Sequence, residues 1–542
     1  MKQNVAAQAP LALCALLFCL PLILCIVLRA GFLDLANEPL GYRFFYPEKI
    51  LAGDVVAIGV GHLVSVLHLA VHATLNLLPD TAGTSLERRM DAFVLLTNGL
   101  LSAAMCGLLW IAARSSSLRR TDLALLAMVA LVPLYATGGW GLEYALMADY
   151  TFLDMVLCTA SLLLFQLYWR RPHAASLFEV AAIGAFVGMV CANKPTLLVV
   201  AGCALVPVVI ASGLGGRTLV LRACLSLCGL VAAFYAVHLA YHFGNVQATN
   251  AGLSWLAWYV QNAGSEPGFW EVVRTSMLDY NYAFVAAWGI AALLLAIVGL
   301  EVRRKASPRT LMAGTFCMLG LIASVYFVAR RPAHSTLFES ALFVLVLGAM
   351  LLTLVEDWPP ARKAILASGA AWAVLALATF PFRGSYELVA GSGERARTKW
   401  AAFEEVRRIA GSRPMEVILP DNFYHHEGVF ELLVKAASTF PEWKTSPGGR
   451  AVVLDRYAPG MSVRYTGGIP GPGAPYAGGR VLVWFDRPGA PALTLQFPEL
   501  AAAVARAGVK QYQWSVRARG GLVYPAGSGE FTMRAAEIPD PT

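Results

Sequence analysis

Through its first 380 positions the sequence keeps returning to apolar runs of about twenty residues, separated by short polar joints. Roughly 20 apolar residues in a helix cross the hydrocarbon core of a bilayer, and only a bilayer accepts so many such segments in one chain. Spans are expected at about 11–30, 91–113, 122–140, 150–169, 177–192, 195–211, 218–241, 279–300, 310–329, 336–356 and 362–380, eleven in all. Composition agrees. Of 542 residues, 58% are hydrophobic and only 14% charged, against about 25% charged in a soluble domain. That excludes a disordered chain, a coiled coil and a soluble enzyme of ordinary composition. The first run follows Lys2 with no small-residue cleavage site after it, so it is expected to be retained.

Residues 31–90 are apolar but carry Asp54, His62, His68 and His72, which suits an outer loop with interfacial helices. His68 and His72, four apart, share a helix face; zinc would need at least one more ligand, and packing is the expected role. Around Asn193-Lys194-Pro195 the chain makes either two short spans or one helix kinked at the missing proline donor. The ten cysteines all fall in apolar segments without metal spacing and read as small core residues.

Lysine and arginine set the orientation. With the N-terminus inside, the inner joints carry Arg114, Arg119, Arg120, then Arg170 and Arg171, Arg217 and Arg222, Arg303 to Lys305 and Arg309, and Arg362 with Lys363. The net charge of +8 is thus a topology signal, and an odd number of spans leaves 381–542 outside. In that tail the apolar runs shorten. "MEVILP", "AVVLD" and "VLVWF" read as strands, while "ERARTKWAAFEEVRRIAG" and "ELAAAVARAG" read as helices ending in glycine. The expectation is a polytopic α-helical membrane domain over 1–380 and an extracytoplasmic α/β domain over 381–542.

This topology collects polar residues on the outer side. The loop after the first span holds Asp34, Glu38 and Arg43; the joint before 150 holds Glu143 and Asp149, with Asp154 just inside the next span; Lys194 follows at the short-span joint; Arg330, Arg331 and His334 precede the tenth span. Arg330 and Arg331 break the positive-inside pattern. Lipid anchoring explains such a pair, and so does gripping an anion, because a guanidinium fork matches phosphate oxygens at two points. Lys194 lies in an apolar stretch, where a charge costs about 2.5–3.5 kcal/mol on insertion scales unless it snorkels. Asp34, at the mouth of a span, is placed to act as a general base on a hydroxyl or simply to end a helix.

Four stretches carry a family resemblance: "LDLANEPLGYRFFYPEKILAGD", "ALMADYTFLDMVLCTASLLLFQLYWRR", "AIGAFVGMVCANKPTLLVV" and, more loosely, "ARRPAHSTLFESALFVLVLGAMLL". In order and sidedness they resemble the polytopic GT-C glycosyltransferases of the protein mannosyltransferase and aminoarabinose transferase type, over about 380 residues. The family's first-loop Asp-Glu pair falls on Asn37-Glu38, with Asp34 three residues earlier, so the base is Asp34 or Glu38. The second acid is Asp149 or Asp154, with Glu143 nearby. The resemblance implies a bacterial inner-membrane enzyme with a cytoplasmic N-terminus. It would take a hexose or pentose from a polyprenyl-phosphate donor and pass it to a hydroxyl of a lipid, glycan or protein at the outer face, by a single inverting displacement. Lys194, Arg330, Arg331, His334 and Arg43 would then bind the departing phosphate. The carboxylates would accept a divalent cation, though no spacing demands one. The tail would bind acceptor or stabilise the fold. The competing expectations are a transporter or flippase of lipid-linked or anionic solutes, and a non-catalytic subunit presenting the outer domain. Nothing in the sequence points to nucleic acid.

Overall fold

The computed structural model describes residues 2–28, 66–77, 86–115, 120–136, 150–171, 175–194, 197–210, 215–242, 244–262, 307–329, 345–355, 358–379, 404–419, 461–465, 478–486, 491–506, 508–518 and 529–540, with isolated positions such as Phe44, Glu48, Tyr476 and Ala402. The chain is mostly helical, with a small sheet near its C-terminal end. It divides into two compact units. The first comprises 1–24, 59–65 and 97–387; the second comprises 25–58, 66–96 and 388–542.

The helices in order are α1 (Lys2–Leu28), α2 (Val66–Leu77), α3 (Leu86–Ser115), α4 (Arg120–Ala136), α5 (Tyr150–Trp169), α6 (Leu177–Asn193), α7 (Leu198–Cys203), α8 (Val206–Val209), α9 (Gly216–Tyr241), α10 (Val246–Asn262), α11 (Pro308–Ala329) and α12 (Pro359–Thr379). Among the described residues two helical segments are long and apolar enough to cross a membrane, Arg88–Leu108 and Gly216–Tyr241. Shorter apolar helices lie at Ala9–Leu20, Leu153–Trp169, Leu177–Asn193, Val200–Val209 and Leu345–Leu354. Of the expected spans, 279–300 apart from Gly299 and the 336–344 portion of 336–356 lie outside the described residues.

Within the first unit, α6 and α9 form the tightest pair, and the cause is glycine. A methyl on Gly184 would meet the Ser226 carbonyl oxygen at 2.1 Å, one on Gly188 the Leu230 carbonyl oxygen at 2.1 Å, and one on Gly229 the Ala181 carbonyl oxygen at 2.3 Å. Small residues four apart on α6 thus bring two backbones into contact, as in membrane helix pairs. α9 is also inverted relative to a soluble amphipathic helix. It buries Arg222, Ser226 and His238 while Val220, Leu227 and Val231 are 62%, 60% and 55% exposed. A second pairing, α4 with α12, is fixed by an arginine fork: Arg362 Nε donates to Asp122 Oδ2 at 2.6 Å and its Nη2 to Oδ1. Gly369 of α12 lies against Val129 of α4.

α6 begins at a reciprocal cap. The Ser176 hydroxyl accepts from Glu179 N at 3.2 Å, and the Glu179 carboxylate accepts from Ser176 N at 2.8 Å. It ends at Asn193 because Lys194 is extended (φ −157°, ψ 113°), the conformation that the following Pro195 imposes on its predecessor. Of the two alternatives for this stretch, a kinked single helix is therefore not adopted. The segment expected as a span over 195–211 holds the two short helices α7 and α8, with Pro207 in the first turn of α8.

In the second unit, strands β1 (Met415–Leu419), β2 (Met461–Tyr465), β3 (Arg480–Asp486), β4 (Lys510–Ala518) and β5 (Gly529–Ile538) make one sheet in the order β2-β1-β3-β5-β4. β1 pairs in parallel with β2 and β3, and β5 runs antiparallel to β3 and β4. Helices α13 (Leu493–Gln496) and α14 (Pro498–Val504) close one face. There Leu500, Ala503 and Val504 pack with Ile418, Leu482, Trp484, Ala536 and Ile538. The helix ending at Ala410 stops at Gly411, whose φ of +57° favours glycine. Two of the expected strands are thus β1 and β3, whereas "AVVLD" lies outside the described residues. Glu537 of β5 accepts from the Tyr512 hydroxyl and pairs with Arg413 at 2.8 Å. The Tyr512 hydrogen bond, with Arg413 beside it, holds its carboxyl below the usual carboxylate range.

Candidate functional site

α5 and α6 are consecutive and meet at a buried polar cluster. Asp154 sits in the second turn of α5, and Asn193 and Lys194 end α6 forty residues on. Asn193 Nδ2 donates to Asp154 Oδ1 at 2.8 Å, and Lys194 Nζ reaches Asp154 Oδ2 at 3.3 Å. The ionic side chains are 3% and 1% exposed. Each carboxylate oxygen thus has its own donor, as a buried charge requires. The helix dipoles reinforce the arrangement, because the acid lies near a helix N-terminus and the cation at a helix C-terminus. Pro195 contributes indirectly by forcing Lys194 out of the helix.

This geometry holds a positive and a negative charge together with both side chains almost fully buried. A phosphate approaching Lys194 must compete with Asp154 for it. Asp154, with both oxygens engaged, is poorly placed to take a proton. What the cluster can do is fix α5 against the end of α6, or change its pairing when a charged group or proton arrives.

Two of the candidates are therefore brought together, Asp154 and Lys194, from two different stretches that carry the GT-C resemblance. Asp34, Glu38, Arg43, Glu143, Asp149, Arg330, Arg331 and His334 lie outside the described residues. Asn193 completes the cluster; its place directly before Lys194 was the only signal in the sequence. His68 and His72 are buried on α2, with His72 at 4.9 Å from the Phe44 ring and 4.8 Å from the Phe93 ring, and His68 at 5.7 Å from Phe93. Both histidines are thus packing residues, as expected. Among the described residues no three histidine, cysteine or carboxylate side chains group to hold a metal.

A second polar cluster was not singled out from sequence. Where α5 ends and α6, α9 and α11 begin, Glu179 accepts from the Tyr168 hydroxyl at 2.9 Å and from Arg171, while the Arg171 guanidinium lies 4.5 Å over the Tyr168 ring. Arg222 donates to the Ala175 carbonyl. Arg309 Nη2 donates to the Tyr168 carbonyl at 2.9 Å and the Pro207 carbonyl at 3.5 Å, with its guanidinium 4.7 Å over Trp169. Three of the basic residues that set the orientation in sequence, Arg171, Arg222 and Arg309, lie here.

Compared with known proteins, the chain matches no family model, no curated protein and no solved structure.

Proposed function

We propose that the chain is a polytopic membrane glycosyltransferase of GT-C type, with about eleven spans. It moves a hexose or pentose from a polyprenyl-phosphate donor to an acceptor hydroxyl at the outer face, with the tail on that side. Asp34 or Glu38 takes the hydroxyl proton as the oxygen attacks the anomeric carbon. The lipid phosphate leaves toward Arg43, Arg330, Arg331 and His334, whose charge stabilises it. Asp149 and Glu143 orient substrate.

One observation carries most of the support. Asp154 and the Asn193-Lys194 pair belong to separate resemblance stretches and meet at hydrogen-bonding distance. Supporting the membrane setting, α9 turns apolar side chains outward and polar ones inward. The rival reading, a transporter of lipid-linked or anionic solutes, draws on the same pair, since a buried Asp–Lys couple in an apolar helix bundle is also what proton- and ion-coupled carriers use.

The deciding measurement is turnover of polyprenyl-phosphate sugars by the purified chain. Asp34→Asn or Glu38→Gln is expected to lower it by roughly 10²–10⁴, the worth of a general base. Arg330→Lys or Arg331→Lys is expected to lower it by about 10²-fold, because lysine lacks the two-point fork. Wild-type turnover in all four variants would overturn the mechanism. Solute uptake into vesicles with no sugar transfer would favour the carrier.

A further inference from the structure

We propose that the end of the helical unit where α5 ends and α6, α9 and α11 begin is a binding site for a phosphate-bearing anion, gripped by Arg222 and Arg309. The inference is independent of sugar transfer, and none of these residues belongs to the proposed donor site.

Arg222 is only 3% exposed, yet its Nη2 donates to a single backbone oxygen, that of Ala175, and its Nε is buried with no hydrogen-bond partner among the described residues. Arg309 repeats the pattern. Its Nη2 is held by the Tyr168 and Pro207 carbonyls, and its Nε is likewise buried and unpartnered. A guanidinium carries five N–H donors and is always charged, so leaving donors buried and unmatched is costly. Backbone carbonyls orient the two groups without neutralising either.

The nearby carboxylate is already committed. Glu179 accepts from Arg171, from the Tyr168 hydroxyl and from Ser176 N and Oγ. Among the described residues Arg171 and Arg222 share this acid, while Arg309 is held by carbonyls and the Trp169 ring. The helix ends add to the field. α6 is capped by Ser176, and the Ser307 hydroxyl accepts from Thr310 N at the start of α11. By contrast α9, 26 residues long, starts at Gly215 with no side-chain cap. Its first N–H groups and its positive dipole end lie on the helix that carries Arg222.

A tetrahedral oxyanion with several acceptor oxygens matches what both guanidiniums and uncapped helix amides donate to. On the lysine and arginine asymmetry this end faces the cytoplasm, where anionic phospholipid headgroups and soluble phosphate compounds both occur. Basic pockets between membrane helices on that side take lipid phosphates.

The test uses the full chain purified in a neutral detergent. Melting temperature is followed with added phosphatidylglycerol, with phosphatidylcholine, and with inorganic phosphate against chloride at equal ionic strength. Wild type is expected to be stabilised by phosphatidylglycerol or by inorganic phosphate, and not by phosphatidylcholine or chloride. Stabilisation by phosphatidylglycerol alone assigns a lipid; stabilisation by inorganic phosphate assigns a soluble ligand. Arg309→Lys, which leaves the Arg222 contact to Ala175 intact, is expected to raise the half-saturating concentration about tenfold, and Arg222→Lys to do at least the same. Should Arg222→Lys fail to fold, Arg309→Lys alone decides. No stabilisation of wild type by either phosphate source, or equal stabilisation of wild type and Arg309→Lys, overturns the proposal.

Discussion

Asp154 shows how far one residue's role depends on partners distant in sequence. Its neutralising cation and second donor sit 40 and 39 positions away. Removing one member of a buried pair strands the other in an apolar surround, which costs about 3–5 kcal/mol. Asp154→Asn and Lys194→Met are therefore each expected to lower the melting temperature of the purified chain sharply. Replacing both by apolar residues of similar volume, Asp154→Leu with Lys194→Met, is expected to recover most of the loss. A double variant no better than either single one would mean the two charges act separately. The sequence marked Lys194 as costly because it stands in an apolar stretch, and it marked Asp154 as one of two possible acids. The Asn193 and Lys194 contacts of Asp154 come from the far end of α6, which no local spacing encodes. The Asp122–Arg362 fork, 240 positions apart, was hidden for the same reason.

At the scale of elements, glycine placement governs the α6–α9 contact. Gly188→Val would put new carbon atoms where Leu230's carbonyl oxygen already sits, and a backbone atom cannot swing aside. The helices must part, at a cost of about 1–3 kcal/mol or more. Asn193 and Lys194, one to two turns further along α6, would move with it. The expected outcome is a lower melting temperature together with faster hydrogen exchange over both helices. Gly202→Ala is the control, since the added methyl finds only a Leu198 methyl at 4.0 Å; in a helix it is expected to be neutral or to stabilise by about 0.4–1 kcal/mol. Hydropathy located α6 and α9 and left two short spans or one helix kinked at Pro195 as alternatives, but the pairing of α6 with α9 shows only in the small residues at 184 and 188. In the tail, β1 and β3 are short, continuous apolar strands and were legible. β4 and β5 were not, because "KQYQWSVRA" and "GEFTMRAAEI" dilute their alternation with charges, and their pairing with each other and with β3 supplies the order that periodicity lacks.

For the whole molecule, the distribution of lysine and arginine implies one orientation. Reporter fusions after Ser116 and Ser307 are expected to read cytoplasmic, and a fusion after Ser412 extracytoplasmic; a cytoplasmic signal at Ser412 would remove the sidedness on which the glycosyltransferase reading depends. The division of the chain also bears on how it is made. The second unit draws on 25–58 and 66–96 from near the beginning and on 388–542 from the end, with roughly 290 residues of the other unit between them. At about 5–20 residues per second of synthesis, the early pieces wait roughly 15–60 s for their partners. Through that interval the rings of Phe44, His72 and Phe93 can pack on one another, but the rest of their unit has not been made. A ribosome that stalls in the intervening stretch leaves the early pieces without the residues that complete their unit, so the yield of this protein is expected to fall when its translation is interrupted.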